Sequence, residues 1–335
     1  MKKFFAAILA LVMAMSLVAC GSNGGNAGDN TASDSSVTLT AIVAGLTEDS
    51  PSGQALKKFA ELTNQYSNGS VTIDCFFNTE LGNVAACVEG ATQGTIDIVS
   101  TGTSYFAGFV PAIQVFELPY IFNSYDEAHK TLDNEPGKAV ADMFEGSGLK
   151  MLCYWESGMR HVTNSRGPIV EPSDMKGLKI RTMQSDLHTA TFEALGCLPT
   201  PMSSSEVYSS LSSGVIDAAE NCYSYVLNQS MYEVAPYIIN TEHFYGFCVI
   251  MMAEKIFQSL TAEQQQIILD ASANCISFQR DLVAQQNSDA VDALKEKGVE
   301  FIDLDKAELQ AKVEPVYEKY ADKLPADIME KIRNT

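Results

Sequence analysis

GMRHVTNSRGPI at Gly158–Ile169, DMKGLKIRT at Asp174–Thr182 and GVIDAAEN at Gly214–Asn221 are the runs on which the reading of this chain turns. Arginine is scarce: Arg160, Arg166, Arg181, Arg280 and Arg333 are the whole supply, and three of the five fall in this window. Arg181 ends Leu178-Lys179-Ile180-Arg181, a strand-like run launched by Gly177. It therefore stands where a strand of an α/β sheet exits toward ligand. A guanidinium there offers a rigid two-pronged donor that matches a carboxylate, which a lysine cannot reproduce. Arg160 lies at a second loop-to-strand junction, before His161-Val162-Thr163. Asn221 ends a third unit, with an amide that both donates and accepts. One arginine at a strand end is ordinary surface charge; three polar strand ends in one segment point to a binding cleft.

Outward from this window, strands and helices alternate in the manner of parallel βαβ units. Strands are expected at Val37–Ala44, Val71–Phe77 and Thr95–Ser100, with helices from Pro51 to about Tyr66 and over Val84–Gln93. Ser50 as cap with Pro51 in the first turn makes a well-formed helix start. A helix followed by Gly94-Thr95-Ile96-Asp97 is echoed by a helix followed by Gly214-Val215-Ile216-Asp217. Each glycine is expected to end its helix in the left-handed conformation. The echo marks either matching positions in two lobes or a chance repeat of a common turn. Tyr125–Phe144 reads as helical, Leu149–Trp155 and Tyr245–Met252 as strands, and Phe301–Leu304 as a late strand. Ala262 to about Lys297 reads as one helix of about 50 Å, longer than one lobe needs.

The N-terminus, Lys2-Lys3 followed by an apolar run to Leu17-Val18-Ala19-Cys20, reads as a secretion signal with a lipobox, making Cys20 the acylated residue. Residues 21–36 have the composition of a flexible tether. Loss of Lys2 and Lys3 with the signal takes the charge from −20 to −22. So acidic a chain, with no basic stripe, excludes nucleic acid as partner, and an anion must be held by short-range contacts. The eight cysteines show no metal spacing. They read as mostly free buried thiols, with a disulfide or two left open. His188 reads as satisfied or solvent-facing, and His129, His161 and His243 have no partners at metal-ligand spacing. With no P-loop, GxSxG or HExxH, neither cofactor nor metal is expected.

The pattern resembles the solute-binding proteins of tripartite ATP-independent periplasmic (TRAP) transporters, which take up small organic acids such as C4-dicarboxylates and sialic acid. The resemblance runs from about Val37 to the C-terminus and includes Glu80-Leu81-Gly82, Gly94-Thr95-Ile96-Asp97 and Leu118-Pro119-Tyr120. It implies that Arg181 clamps the ligand carboxylate, Arg160 assists, Asn221 contacts it, and the long helix bridges two lobes. Some members carry a phenylalanine where this chain has Ser204, so the identity of the acid is open. Glu220 is expected to orient Arg160 or Arg181. Tyr105, after the first echo, and Trp155, five residues before Arg160, are candidate walls of the pocket, with a loop role and core packing as their alternatives.

The expectation is thus a two-lobed periplasmic-binding-protein type α/β fold with an interlobe cleft. Residues 37–157 with 247–286 form lobe I, and 158–246 with 287–335 form lobe II. Lobe closure buries an organic acid and delivers it to membrane permease subunits, from a lipid-anchored, monomeric, non-enzymatic protein outside the cytoplasm. A receptor presenting ligand to a sensor protein and a secreted enzyme acting on a carboxylated substrate are the rivals.

Overall fold

The computed structural model describes residues Ser36–Arg333; the expected signal, the lipidation at Cys20 and all but the last residue of the tether lie outside them. One nine-stranded mixed sheet organises the described chain. Its strands are β1 (Val37–Ala44), β2 (Val71–Asn78), β3 (Ile98–Gly102), β4 (Leu149–Asn164), β5 (Lys179–Thr182), β6 (Leu198–Pro201), β7 (Ala218–Asn221), β8 (Tyr237–Ala253) and β9 (Glu300–Asp303). The order is β2-β1-β3-β8-β4-β7-β5-β6, with β9 beside β8. Two parallel trios, β2-β1-β3 and β6-β5-β7, flank the long antiparallel pair β4 and β8. The sequence expectation stopped β4 at Trp155 and began β8 at Tyr245. Both strands run on into the second half, because their apolar faces find a second core there.

The echo marks equivalent positions. Gly94 and Gly214 both adopt the left-handed conformation, at φ 64° and 72°. Asp97 then accepts a hydrogen bond from the Thr40 N–H of β1, and Asp217 one from the Lys179 N–H of β5, at 2.7 and 3.1 Å. Each carboxylate fastens the start of β3 or β7 to the central strand of its own trio.

Strand alternation sends side chains to opposite faces, and each half of the sheet is covered on both. In the first half Leu39, Ala41 and Val43 face Phe59 and Ile268, whereas Ile42 and Ala44 face Val88 and Phe106. In the second half Ile180 and Val162 pack with Leu187 and Phe192, and Ile238 with Leu211 and Leu294. The helix Ala262–Glu296 buries Ile268 and Cys275 in a first-half core and Ala290 and Leu294 in a second-half core, so it bridges both lobes. All seven described cysteines are free thiols, and six are buried.

Two boundaries depart from expectation. Tyr125–Asp133 and Glu135–Asp142 are separate helices, because extended Asn134 breaks the first and Pro136 sits in the opening turn of the next. Ile328 and Ile332, expected in lobe II, are buried beside Val140 and Phe144 in a lobe I core, and Lys331 pairs with Glu135. The tail therefore returns to lobe I, where an apolar surface accepts it.

The two long strands cross between lobes at paired Gly158 and Gly246, with register shifts on either side. Gly158 has φ +102°, and a Cβ there would lie 2.8 Å from Asn287 Nδ2 and 2.9 Å from the Tyr125 hydroxyl. A Cβ on Gly246 would lie 2.4 Å from Ser157 Oγ. Only glycine lets the strands pass this closely.

Candidate functional site

A cleft with about 830 Å³ of unfilled space, its open mouth included, lies between the lobes at the C-terminal ends of the short strands. Arg160 and Arg181 both line it, as do Asn221, Tyr105 and Ser204. The tight β4–β7 pairing brings His161 opposite Asn221 and Val162 opposite Glu220, which sets Arg160 against Glu220. Arg160 Nε is 2.5 Å from Glu220 Oε2 and Nη2 is 2.8 Å from Oε1, a bidentate pair in which both partners are buried. Nη2 also donates to the Glu220 carbonyl and Nη1 to Asn221 Oδ1. Burial opposes the charge on each partner, but their mutual attraction outweighs it, holding the Glu220 carboxyl well below and the Arg160 guanidinium above their ordinary ranges. His243 hydrogen-bonds the same carboxylate, 3.3 Å from Glu220 Oε2. Asn221 Oδ1 is occupied by Arg160 and the Cys222 N–H, leaving the amide nitrogen as a donor with no protein partner among the described residues.

Arg181 differs. Its Nε and Nη2 both donate to the Met202 carbonyl, at 3.1 and 2.9 Å, and among the described residues no carboxylate pairs with it. It is only 3% exposed. A guanidinium oriented by a neutral carbonyl keeps its charge uncompensated and its remaining N–H groups unused. It is the one cavity-lining cation in that state among the described residues.

Tyr105 enters from the loop after β3. Burial pushes its phenol up, opposed by the positive charges of Arg181 and Arg160, so the hydroxyl lies within reach of both fields. Tyr225 is its counterpart from the second lobe, with the same balance of influences. Neither hydroxyl has a protein hydrogen-bond partner among the described residues. Sequence reasoning missed Tyr225, although the signal was present: Tyr105 stands eleven residues beyond Gly94 and Tyr225 eleven beyond Gly214. Ser204 lies where the lobes meet, its Oγ 3.1 Å from the position a Gly45 Cβ would occupy. Trp155 does not line the cavity. It is 1% exposed in the core with Cys153, Cys248 and Ile268, because the strand's alternation turns it away while Glu156 lines the site.

A second buried cluster stands behind Arg160. Glu117 and Thr103 hydrogen-bond side chain to side chain, and Glu117 Oε2 lies 3.8 Å from His188 Nε2 with no hydrogen-bond partner. Burial raises the Glu117 carboxyl to about 7 and lowers the His188 imidazole to about 3. At neutral pH the imidazole is therefore uncharged, and the two do not form an ion pair. His188, read from sequence as satisfied or solvent-facing, is neither: its ring stacks on Phe244, and neither nitrogen is hydrogen-bonded. His129 likewise gains a partner the sequence spacing hid, Glu156 at 2.6 Å.

The fold and site have relatives. The model of the bacterial extracellular solute-binding protein family 7 matches residues 42–324. The chain is 38% identical over 253 residues to the 2,3-diketo-L-gulonate-binding periplasmic protein YiaO of Escherichia coli, covering 75% of this chain and 77% of that one. It is 29% identical over 290 residues to the C4-dicarboxylate-binding periplasmic protein DctP of Rhodobacter capsulatus, covering 85% and 87%. A crystal structure of a TRAP periplasmic solute-binding protein from Sulfitobacter sp. NAS-14.1 with bound β-D-galacturonate superposes with a TM-score of 0.86 at 32% identity, over 89% of this chain and 100% of that one. An interlobe cleft with an uncompensated guanidinium, on a fold spanned by two long strands and a bridging helix, is accounted for by this kinship: the chain belongs to the family 7 bacterial extracellular solute-binding proteins, the capture proteins of TRAP transporters.

Proposed function

We propose that the acid captured here is a monocarboxylate with a neutral, hydroxylated body, a sugar acid rather than a C4-dicarboxylate. The observation that carries this is the charge count. Arg160 is neutralised by Glu220, so Arg181 alone offers an unspent positive charge to the cavity. One ligand carboxylate meets that fork. A second would be buried without a cation, at a cost of several kcal/mol. The rest of the wall suits hydroxyl groups: Tyr105, Tyr225, the Asn221 amide nitrogen, Ser204, Asn228 and Gln229. The YiaO and Sulfitobacter relatives are named for, or hold, acids of this kind.

In this reading Arg181 replaces the water lost by the carboxylate, and closure about the Gly158–Gly246 crossing seals the site. Arg160, held by Glu220, presents its remaining edge and the Asn221 amide to the ligand. Lobe I comprises 37–157 with 247–286, and lobe II 158–246 with 287–335, except that Ile328 and Ile332 pack on lobe I. Cys20 carries the lipid, residues 21–36 act as tether, and the monomeric, non-catalytic protein delivers its ligand to the permease subunits. Calorimetric titration with D-galacturonate and with succinate tests the charge count. We expect galacturonate to bind in the micromolar range, about −8 kcal/mol, and succinate at least tenfold more weakly. Tighter binding of succinate overturns the reading.

A further inference from the structure

We infer that Met183 and Ser204 of lobe II, seated against Gly102 and Gly45 of lobe I, form the latch that shuts the cleft, and that the segments building the carboxylate fork carry both contacts, so that capture and closure are one event. The inference rests on the capture of an acid by Arg181 proposed above and not on which acid that is. All four residues line the cleft. A Cβ on Gly102 would lie 2.8 Å from Met183 Cε, too close for a side chain to coexist with the methionine as it stands. Gly102 has φ −61° and ψ 145°, values that any residue adopts. Its backbone therefore does not call for glycine; the approach of Met183 does. Ser104, two residues on, donates to Met183 Sδ at 3.6 Å, so the methionine is held by its sulfur as well as by its methyl group. At the second contact Ser204 Oγ lies 3.1 Å from the position of a Gly45 Cβ, which leaves the serine hydroxyl closed down on bare backbone.

Each contact lies two residues from a part of the fork. Met183 follows Arg181 by two, and both line the cleft while Thr182 between them does not, in keeping with strand alternation. Ser204 follows Met202 by two, and the Met202 carbonyl is the group that receives Arg181 Nε and Nη2. The Met202 N–H donates to the Thr182 carbonyl at 3.3 Å, which ties the two segments together. The Ser203 N–H donates to Glu206 Oε2 at 3.1 Å, which fixes the turn that carries Ser204. A carboxylate that settles on Arg181 thus orders the segments that present both contacts. Neither contact carries a charge, so the latch does not compete with the ligand for the guanidinium, and it reopens without separating an ion pair.

Calorimetric titration and small-angle scattering test the latch, each variant being measured with whichever of D-galacturonate and succinate the wild type binds more tightly. We expect the wild type to contract in radius of gyration at saturating ligand. A single methyl group at position 102 is absorbed by rotation of the free end of Met183, so the test uses Gly102→Val, whose branched side chain is not. That variant should bind about tenfold more weakly and keep its unliganded radius at saturation. Adding Met183→Ala to Gly102→Val removes the obstacle, and should restore the contraction and recover about fivefold of the lost affinity. Met183→Ala alone, which shortens a half-buried side chain, should bind about fivefold more weakly through faster dissociation. Contraction of Gly102→Val at saturation, no recovery in the double variant, or a wild type that binds without contracting overturns the latch. So does wild-type affinity in Met183→Ala, which decides the matter should Gly102→Val fail to fold. A wild type that binds neither acid overturns capture at Arg181 and the latch together, whereas tighter binding of succinate overturns the sugar-acid reading alone.

Discussion

The Arg160 corner and the Arg181 corner of the cleft contain the same side chain in opposite electrostatic states. Arg160 lies in a bidentate buried pair with Glu220, reinforced by His243 and Asn221. Arg181 leans on a single carbonyl. A buried charge that is already paired contributes to the fold, and removing its partner strands it. One that is unpaired is held ready for a ligand of opposite sign. Residue type does not distinguish the two arginines; the neighbour does.

The sharpest way to break this contrast is to strand Arg160. Glu220→Leu should cost about 3–5 kcal/mol of stability, as expected when one partner of a buried ion pair is removed, read by denaturant unfolding without ligand. A loss below about 1 kcal/mol would show that the pair does not hold the fold. Arg181→Met should do the reverse. Ligand affinity falls about 100-fold, or about 3 kcal/mol, while the unliganded protein melts within a few degrees of wild type. An unliganded melt depressed as far as that of Glu220→Leu would erase the distinction between the corners.

Two buried carboxylates near Arg160 sharpen the contrast through pH. Glu220 is held below its ordinary value of 4.5, so its stabilisation is present above that pH and is lost as the medium becomes more acid. Glu117 is raised to about 7: the folded protein keeps a proton the unfolded chain has released, so its contribution is full below pH 4.5 and is lost as pH rises toward 7. Glu117→Gln should therefore flatten the decline in melting temperature between pH 5 and 7, an effect of about 2 kcal/mol. An unchanged pH profile would place the Glu117 carboxyl at its ordinary value. The smallest effect is expected at the crossing between the corners. Gly158→Ala adds a methyl group at φ +102° against Asn287 and Tyr125 and should cost about 1–2 kcal/mol. Stability equal to wild type in thermal melts would show that the strands have room there.

Much was legible before any coordinates. Periodicity and capping placed the helices Pro51–Tyr66 and Val84–Gln93, because Ser50, Pro51 and the glycine at 94 act over one turn of chain. The strand-end positions of Arg181 and Asn221 followed from short apolar runs, whereas Arg160, expected at a loop-to-strand junction, lies within the continuous strand β4; all three line one cavity. The reach of β4 and β8 was not legible, because a strand that leaves one core for another carries no local mark at the boundary. The same holds for the tail, whose Ile328 and Ile332 could have served either lobe.

What the chain's order of residues determined by itself is the alternation of strands and helices, the repeated Gly-x-Ile-Asp turn, and the placing of Arg181 and Asn221 at strand ends, all properties of neighbours within a few bonds. What only the tertiary structure decided is which arginine keeps its charge for the ligand, that Trp155 turns into the core, and that Tyr225 faces Tyr105 across the cleft. The first depends on Glu220 lying 2.5 Å from a residue sixty positions away, because electrostatic energy follows distance in space, not distance along the chain; the other two depend on packing between segments equally remote in sequence.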